Sequence, residues 1–171
     1  CSATTTITVT QPAILSATAT IISPILCNGG TAQVQVSAIG GSLPYSGTGI
    51  FTVVSGSFNY LVTDANGCNT NTSISVPQPT LLVTNVASTN ITCFGANNGM
   101  AEVTINGGVD EATTSSGYVI NWVNNISSPP TPVYGHLTAV NLEGAILGDL
   151  DITYTVTVQD VNGCEDNATT N

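Results

Sequence analysis

The chain has 171 residues, ten acidic side chains, one histidine, and neither lysine nor arginine. With no cationic side chain it cannot neutralise phosphates, which argues against nucleic acid and anionic membrane surfaces as partners. For the same reason every carboxylate must be solvated, held in a turn, or bound to a cation. Charged residues are only 6% of the chain, and Thr, Ser, Asn, Val and Gly dominate, a composition suited to strands and turns and poor in helix formers. No apolar run approaches the roughly 18 residues that a membrane-spanning helix needs, and no basic region followed by an apolar stretch marks an export signal.

In chain order, Thr4 to Thr10 reads as a strand that ends at Gln11-Pro12. Ala32, Val34, Val36 and Ala38 alternate with polar residues and predict a half-buried strand, which runs into Gly40-Gly41. Phe58, Tyr60 and Val62 alternate likewise. Asn66-Gly67 then predicts a tight hairpin into a strand from Thr70 to Val76. Pro77-Gln78-Pro79 stops that strand. The series begins again with Ala101, Val103 and Ile105, Gly107-Gly108, an alternating run at Ile152, Tyr154, Val156 and Val158, and a second turn at Asn162-Gly163.

This recurrence is an internal repeat. An offset of 67 positions sets Cys1 on Cys68, Ile7 on Ile74, Gln11-Pro12 on Gln78-Pro79, and Gly40-Gly41 on Gly107-Gly108. Both copies close on one phrase, Val62-Thr63-Asp64-Ala65-Asn66-Gly67-Cys68 and Val158-Gln159-Asp160-Val161-Asn162-Gly163-Cys164. From Gly41 to Cys68 is 27 positions and from Gly108 to Cys164 is 56, so the second copy carries an insertion of 29 residues. The expected organisation is residues 1–12 as the final strand of a preceding repeat, a β-sandwich repeat over 13–79, and a second over 80–171. That second repeat has its insertion at about 109–150 and a truncated last strand. Both ends are expected to cut through a longer array.

Units this small bury little core and usually need a staple. Five cysteines, Cys1, Cys27, Cys68, Cys93 and Cys164, stand far apart with no C-x-x-C pair, which favours disulfides over zinc. Two pairings fit the spacing. Cys27 with Cys68 and Cys93 with Cys164 would staple each repeat internally and leave Cys1 to a residue outside this chain. Cys1 with Cys27 and Cys68 with Cys93 would staple neighbours. The first is preferred, because strands running onward through stacked repeats would hold the sulfurs of the second apart.

The second copy carries Cys93-Phe94-Gly95, Gly99, Gly107-Gly108, Tyr118, Trp122, Asn141-Leu142, and Tyr154 through Cys164. In the first copy the matching residues are Cys27-Asn28-Gly29-Gly30, Gly40-Gly41, Pro44-Tyr45, and Tyr60 through Cys68. The pattern resembles the SprB-type repeat of surface adhesins from gliding Bacteroidetes. The first copy lacks the tryptophan, which implies a differently filled core. The resemblance implies an extracellular, cell-surface location, export by the type IX route, and repeats that space or present adhesive regions, with no catalytic residues to carry over. An all-β chain of tandem immunoglobulin-like β-sandwich repeats is the expected fold.

Candidate sites are few. Asp64 with Asn66, and Asp160 with Asn162, look like the opening of a calcium loop, but the twelfth position holds Ser75 and Asn171 where an EF-hand needs glutamate. A turn-forming Asx residue is the preferred reading for both. Asp149, Asp151, Glu165 and Asp166 are crowded acids that suit calcium better, though such a cluster is commonly a solvated face. No other cofactor is expected. His136 has no second histidine or cysteine near it in sequence, and no catalytic constellation is proposed around it. Trp122 alternates with polar residues and suits a sandwich core.

Three roles follow from these readings. The repeats form a spacer or display rod on the cell surface, contacting neighbouring repeats of the same chain. Alternatively, the insertion makes a carbohydrate-binding module for surface glycans through Trp122 and Tyr134, or the Thr4 to Thr10 strand completes the sheet of a like subunit in a filament. Composition alone yields one firm prediction: pure trypsin leaves the denatured, reduced chain uncut, and a tryptic fragment by mass spectrometry would contradict it.

Overall fold

In the computed structural model, residues 1–93, 98–109, 117–125, 133–134, 137–142 and 152–170 are described. Those residues form antiparallel strands joined by turns, without a helix. They divide into two compact units: Cys1–Ile25 with Gly29–Pro77, and Leu26–Asn28 with Gln78–Asn171. The expected all-β architecture is what is found.

In the first unit β1 (Ser16–Ser23), β2 (Ala32–Ile39) and β3 (Gly49–Val53) make a sheet in that order, and β4 (Gly56–Thr63) and β5 (Asn69–Val76) make a hairpin. The alternation read from the sequence sets the register of burial. Ala32, Val34 and Val36 are buried while Gln33, Gln35 and Ser37 face solvent. Across from them Val62 and Val76 are buried, with Phe58, Tyr60 and Ile74 around them, so both sheets share one core. Five strands are fewer than the seven of a constant-type immunoglobulin sandwich.

The expected strand over Thr4 to Thr10 does not form. Residues 1–15 hold no strand, and Ile7 and Val9 are 82% and 90% exposed. Its counterpart β5 is paired along its whole length with β4, from Gly56 against Val76 to Thr63 against Asn69. Among the described residues no strand offers Thr4–Thr10 such a ladder, and an unpaired extended segment leaves its backbone groups to water.

In the second unit β6 (Val83–Thr89) and β7 (Gly99–Asn106) repeat β1 and β2, and β11 (Tyr154–Gln159) with β12 (Glu165–Thr170) repeat the β4–β5 hairpin. The insertion adds β8 (Val119–Asn124) and β9 (Val133–Tyr134), giving the sheet order β12-β11-β8-β9. Next to β7 lies β10 (Thr138–Leu142), the place that β3 takes beside β2.

A trace of β8 exists in the first unit. Ser46 makes a single bridge to Thr63, the position equivalent to the Val119–Gln159 pair that begins the six-residue β8–β11 ladder. The insertion therefore extends a contact that the shorter repeat already makes. That extension delivers Trp122, 2% exposed, beside Val156. In the first unit the residue equivalent to Val156 is Tyr60, whose ring lies 4.8 Å from that of Phe51. Aromatic volume is thus supplied by a Phe–Tyr pair in one core and by a tryptophan in the other, as close-packed interiors require.

Replacing Trp122 with alanine should cost the second unit about 3–5 kcal/mol. Urea unfolding followed by far-ultraviolet circular dichroism checks this, and an unchanged midpoint would place the ring outside the core.

Candidate functional site

The feature common to both units is a buried aspartate held by backbone. In the Asp-x-Asn-Gly-Cys phrase a short polar side chain can bond the backbone two residues on, which makes a turn. In the first unit Asp64 is only 6% exposed. Its Oδ1 accepts from the backbone N–H of Asn66 and of Cys68, both at 2.9 Å. Its Oδ2 accepts from the Ser42 N–H at 2.9 Å. The Gly67 N–H donates to the Asp64 carbonyl at 3.0 Å, and the Asp64 N–H to the Cys68 carbonyl at 2.9 Å. The hairpin turn expected at Asn66-Gly67 thus closes over four residues, Asp64 to Gly67, with Gly67 at φ 84°. The carboxylate braces this turn, since its Oδ1 takes donors within it and at its end.

The Gly-Gly pair forms the other jaw. The Gly41 N–H donates to the Ala13 carbonyl at 2.7 Å. Gly40 has φ 76°, and a Cβ there would strike the Ile14 carbonyl oxygen. A Cβ on Gly41 would come within 2.7 Å of Asp64 Oδ2. Two glycines are therefore needed where the chain turns between the carboxylate and the segment entering β1. Tyr45 closes the corner by donating its hydroxyl to the Gly40 carbonyl at 2.5 Å.

The second unit reproduces this clasp. Asp160, 3% exposed, accepts from the N–H of Asn162 and Cys164 on Oδ1 and from Val109 on Oδ2, all at 2.9 Å. The Gly108 N–H donates to the Thr80 carbonyl, and the Tyr118 hydroxyl to the Gly107 carbonyl at 2.7 Å. To the carboxylate Ser42 and Val109 supply only a backbone N–H, so no side-chain signal reveals that role. The recurring Gly-Gly was the one legible sign of this jaw.

Chemically the clasp is a structural anion site. Donation from the Ser42 N–H, opposed by desolvation and reinforced by Cys68, Asn66 and Gly67, holds the Asp64 carboxyl below its ordinary 3.8. At Asp64, Asn66, Asp160 and Asn162 the arrangement is that of an Asx-type turn. The carboxylate oxygens face N–H donors, and the Asn66 and Asn162 amide nitrogens donate to Ser42 Oγ at 2.8 Å and the Leu26 carbonyl at 3.2 Å. A hard cation needs oxygens where these hydrogens are. Of the crowded acids, Glu165 accepts from Gln159 at 3.0 Å and Asp166 from the Thr84 N–H at 2.6 Å. Asp149, Asp151 and His136 lie outside the described residues. Among the described residues no three His, Cys, Asp or Glu side chains gather as a metal group.

The Trp122 ring is buried among Ile120, Val156 and Val158. Tyr134 lies in β9 opposite Asn121.

The disulfide pattern differs from both expectations. Cys27 is bonded to Cys164, with Cα atoms 5.6 Å apart, and Cys1, Cys68 and Cys93 are exposed thiols. This bond replaces the expected Cys27–Cys68 and Cys93–Cys164 bridges, and the tripeptide Leu26–Asn28 groups with the second unit. There the Asn28 amide donates to the Pro79 carbonyl at 2.9 Å and Leu26 accepts from Asn162. These two bonds flank Cys27 and set it against the turn that carries Cys164. With 137 positions between the cysteines, the bridge removes about 5 kcal/mol of unfolded-chain entropy.

The segment from Asn85 in β6 to Asn124 at the end of β8 holds the Gly107-Gly108 jaw, Tyr118 and Trp122. Residues 85–124 match the SprB repeat. The SprB match thus covers one jaw of the second clasp and the strand that supplies the core tryptophan. No curated protein matches the chain.

Two measurements probe the clasp. A carboxyl with a depressed folded value contributes stability above its unfolded value and loses it on acidification. The first unit should therefore weaken as pH falls below about 4, and Asp64→Asn should flatten that dependence in pH-resolved denaturant unfolding. An equal acid response with and without the substitution would contradict the assignment. Gly107→Ala should cost at least about 2 kcal/mol, from left-handed strain plus the Leu81 carbonyl clash, and a neutral effect would show that the corner can relax.

Proposed function

We propose that this chain is a structural segment of a cell-surface adhesin, in which successive sandwich repeats act as a spacer or display rod. The observation that carries this reading is the repetition of one clasp, residue for residue, in two successive units, the second of them matching the SprB repeat. SprB is a structural repeat family and not an enzyme family. A site built from buried backbone bonds holds shape, which suits a module whose task is to be durable and to repeat.

The surface chemistry supports the same role. A chain with ten carboxylates and no lysine or arginine repels anionic surfaces. Exported proteins also retain disulfides, as Cys27–Cys164 would be retained outside the cell. No helix among the described residues is long and apolar enough to cross a membrane.

Antibodies raised against the folded chain should label intact source cells, and a broad-specificity protease added outside should remove the label. Labelling only after permeabilisation would overturn the surface reading.

A further inference from the structure

In the sequence, Cys27 opens the Cys-Asn-Gly-Gly turn of the first copy and Cys164 closes the Asp-x-Asn-Gly-Cys phrase of the second. Their bond therefore joins two unlike positions of the repeat, taken from successive copies. Each position occurs again. Cys93 is the counterpart of Cys27, and Cys68 is the counterpart of Cys164. Both are exposed thiols.

The setting of the receiving cysteine is the same in both units. Cys164 donates its N–H to Asp160 and Cys68 donates its N–H to Asp64, each at 2.9 Å, so the clasp fixes both at the same place after the turn. Beside Cys164, the Asn162 amide and the Pro79 carbonyl grip Leu26 and Asn28. Their counterparts in the first copy are Asn66 and Pro12, both exposed, and the Asn66 amide turns instead to Ser42 Oγ. The first unit thus presents an occupied clasp, an exposed receiving thiol and the residues of the grip, while Cys93 is a donating thiol of the kind that fills it.

We propose that Cys68 and Cys93 are complementary halves of the same staple. Cys93 of one copy of the repeat bonds the clasp cysteine of the copy that follows it, and Cys68 accepts the Cys-x-Gly cysteine of the copy that precedes it. Between two molecules of this chain the predicted bond is Cys93 of one to Cys68 of the other, a head-to-tail link that can continue without closing. Formation converts two thiols into one disulfide and passes two electrons and two protons to a disulfide oxidant such as oxidised glutathione, which leaves as two thiols. This inference rests on the repeat reading of the chain.

The test mixes isotope-labelled and unlabelled chain in a Cys1→Ser background, oxidises it in a glutathione buffer, and maps the bridges by mass spectrometry after pepsin digestion at acid pH. The digestion suits a chain without tryptic sites and stops thiol exchange. The expected result is a ladder of multimers joined by Cys93–Cys68 bridges between labelled and unlabelled copies, with Cys27–Cys164 retained within each. Cys68→Ser or Cys93→Ser should each abolish the ladder. Homotypic bridges as abundant as the heterotypic one, a Cys68–Cys93 bridge within one molecule, or a folded monomer with both thiols free would each overturn the staple. The proposed cell-surface role is tested separately by surface labelling, so the two failures are distinguishable.

Discussion

A buried carboxylate in a chain without lysine or arginine has to be met by the backbone. At Asp64 and Asp160 that requirement is fulfilled by three N–H groups each, one from within the turn, one from the cysteine that follows it and one from the far side of a Gly-Gly corner. Hydrogen bonds to a charged acceptor are stronger than neutral ones, and a donor left buried without its acceptor is costly. The constraint works in both directions: the carboxylate is admitted to the interior only by these donors, and the donors are satisfied only by the carboxylate.

Much of each unit's geometry follows from that exchange. The Asp–turn jaw fixes how β4 enters β5, and the Gly–Gly jaw fixes how the segment before β1 meets the end of β2. One small cluster thereby ties a hairpin of one sheet to a corner of the other, over cores led by Val34 and Val62 in the first unit and by Trp122 and Val156 in the second. Beyond the clasp the repeat is free to vary. A single Ser46–Thr63 bridge in one copy becomes a six-residue strand in the other, and Phe51 with Tyr60 gives way to Trp122, while the same hydrogen bonds persist.

Legibility in the sequence divides along physical lines. Strand faces at Ala32–Val36 and Ile152–Val158 were readable because burial at period two is a local property. The turn phrases and the Gly-Gly pairs were readable because they recur. The role of the carboxylate was only half visible, since its donors are main-chain groups of Ser42 and Val109, whose side chains carry no signal. The cysteine partners were not visible at all. They depend on where the tripeptide Leu26–Asn28 lies, and two hydrogen bonds to residues more than fifty positions away decide that. Residues 4–10 are unpaired here for a related reason, because alternation gives a strand only where a partner ladder is present.

What distinguishes this segment is therefore a portable corner, which allows one unit to be copied and enlarged without loss of its frame. Amide hydrogen exchange tests that claim most directly. The account predicts that the N–H groups of Ser42, Asn66 and Cys68 in one unit, and of Val109, Asn162 and Cys164 in the other, exchange as slowly as the central strands β2 and β7. Exchange of these six amides at the rate of exposed loops, or protection in one unit without the other, would contradict it.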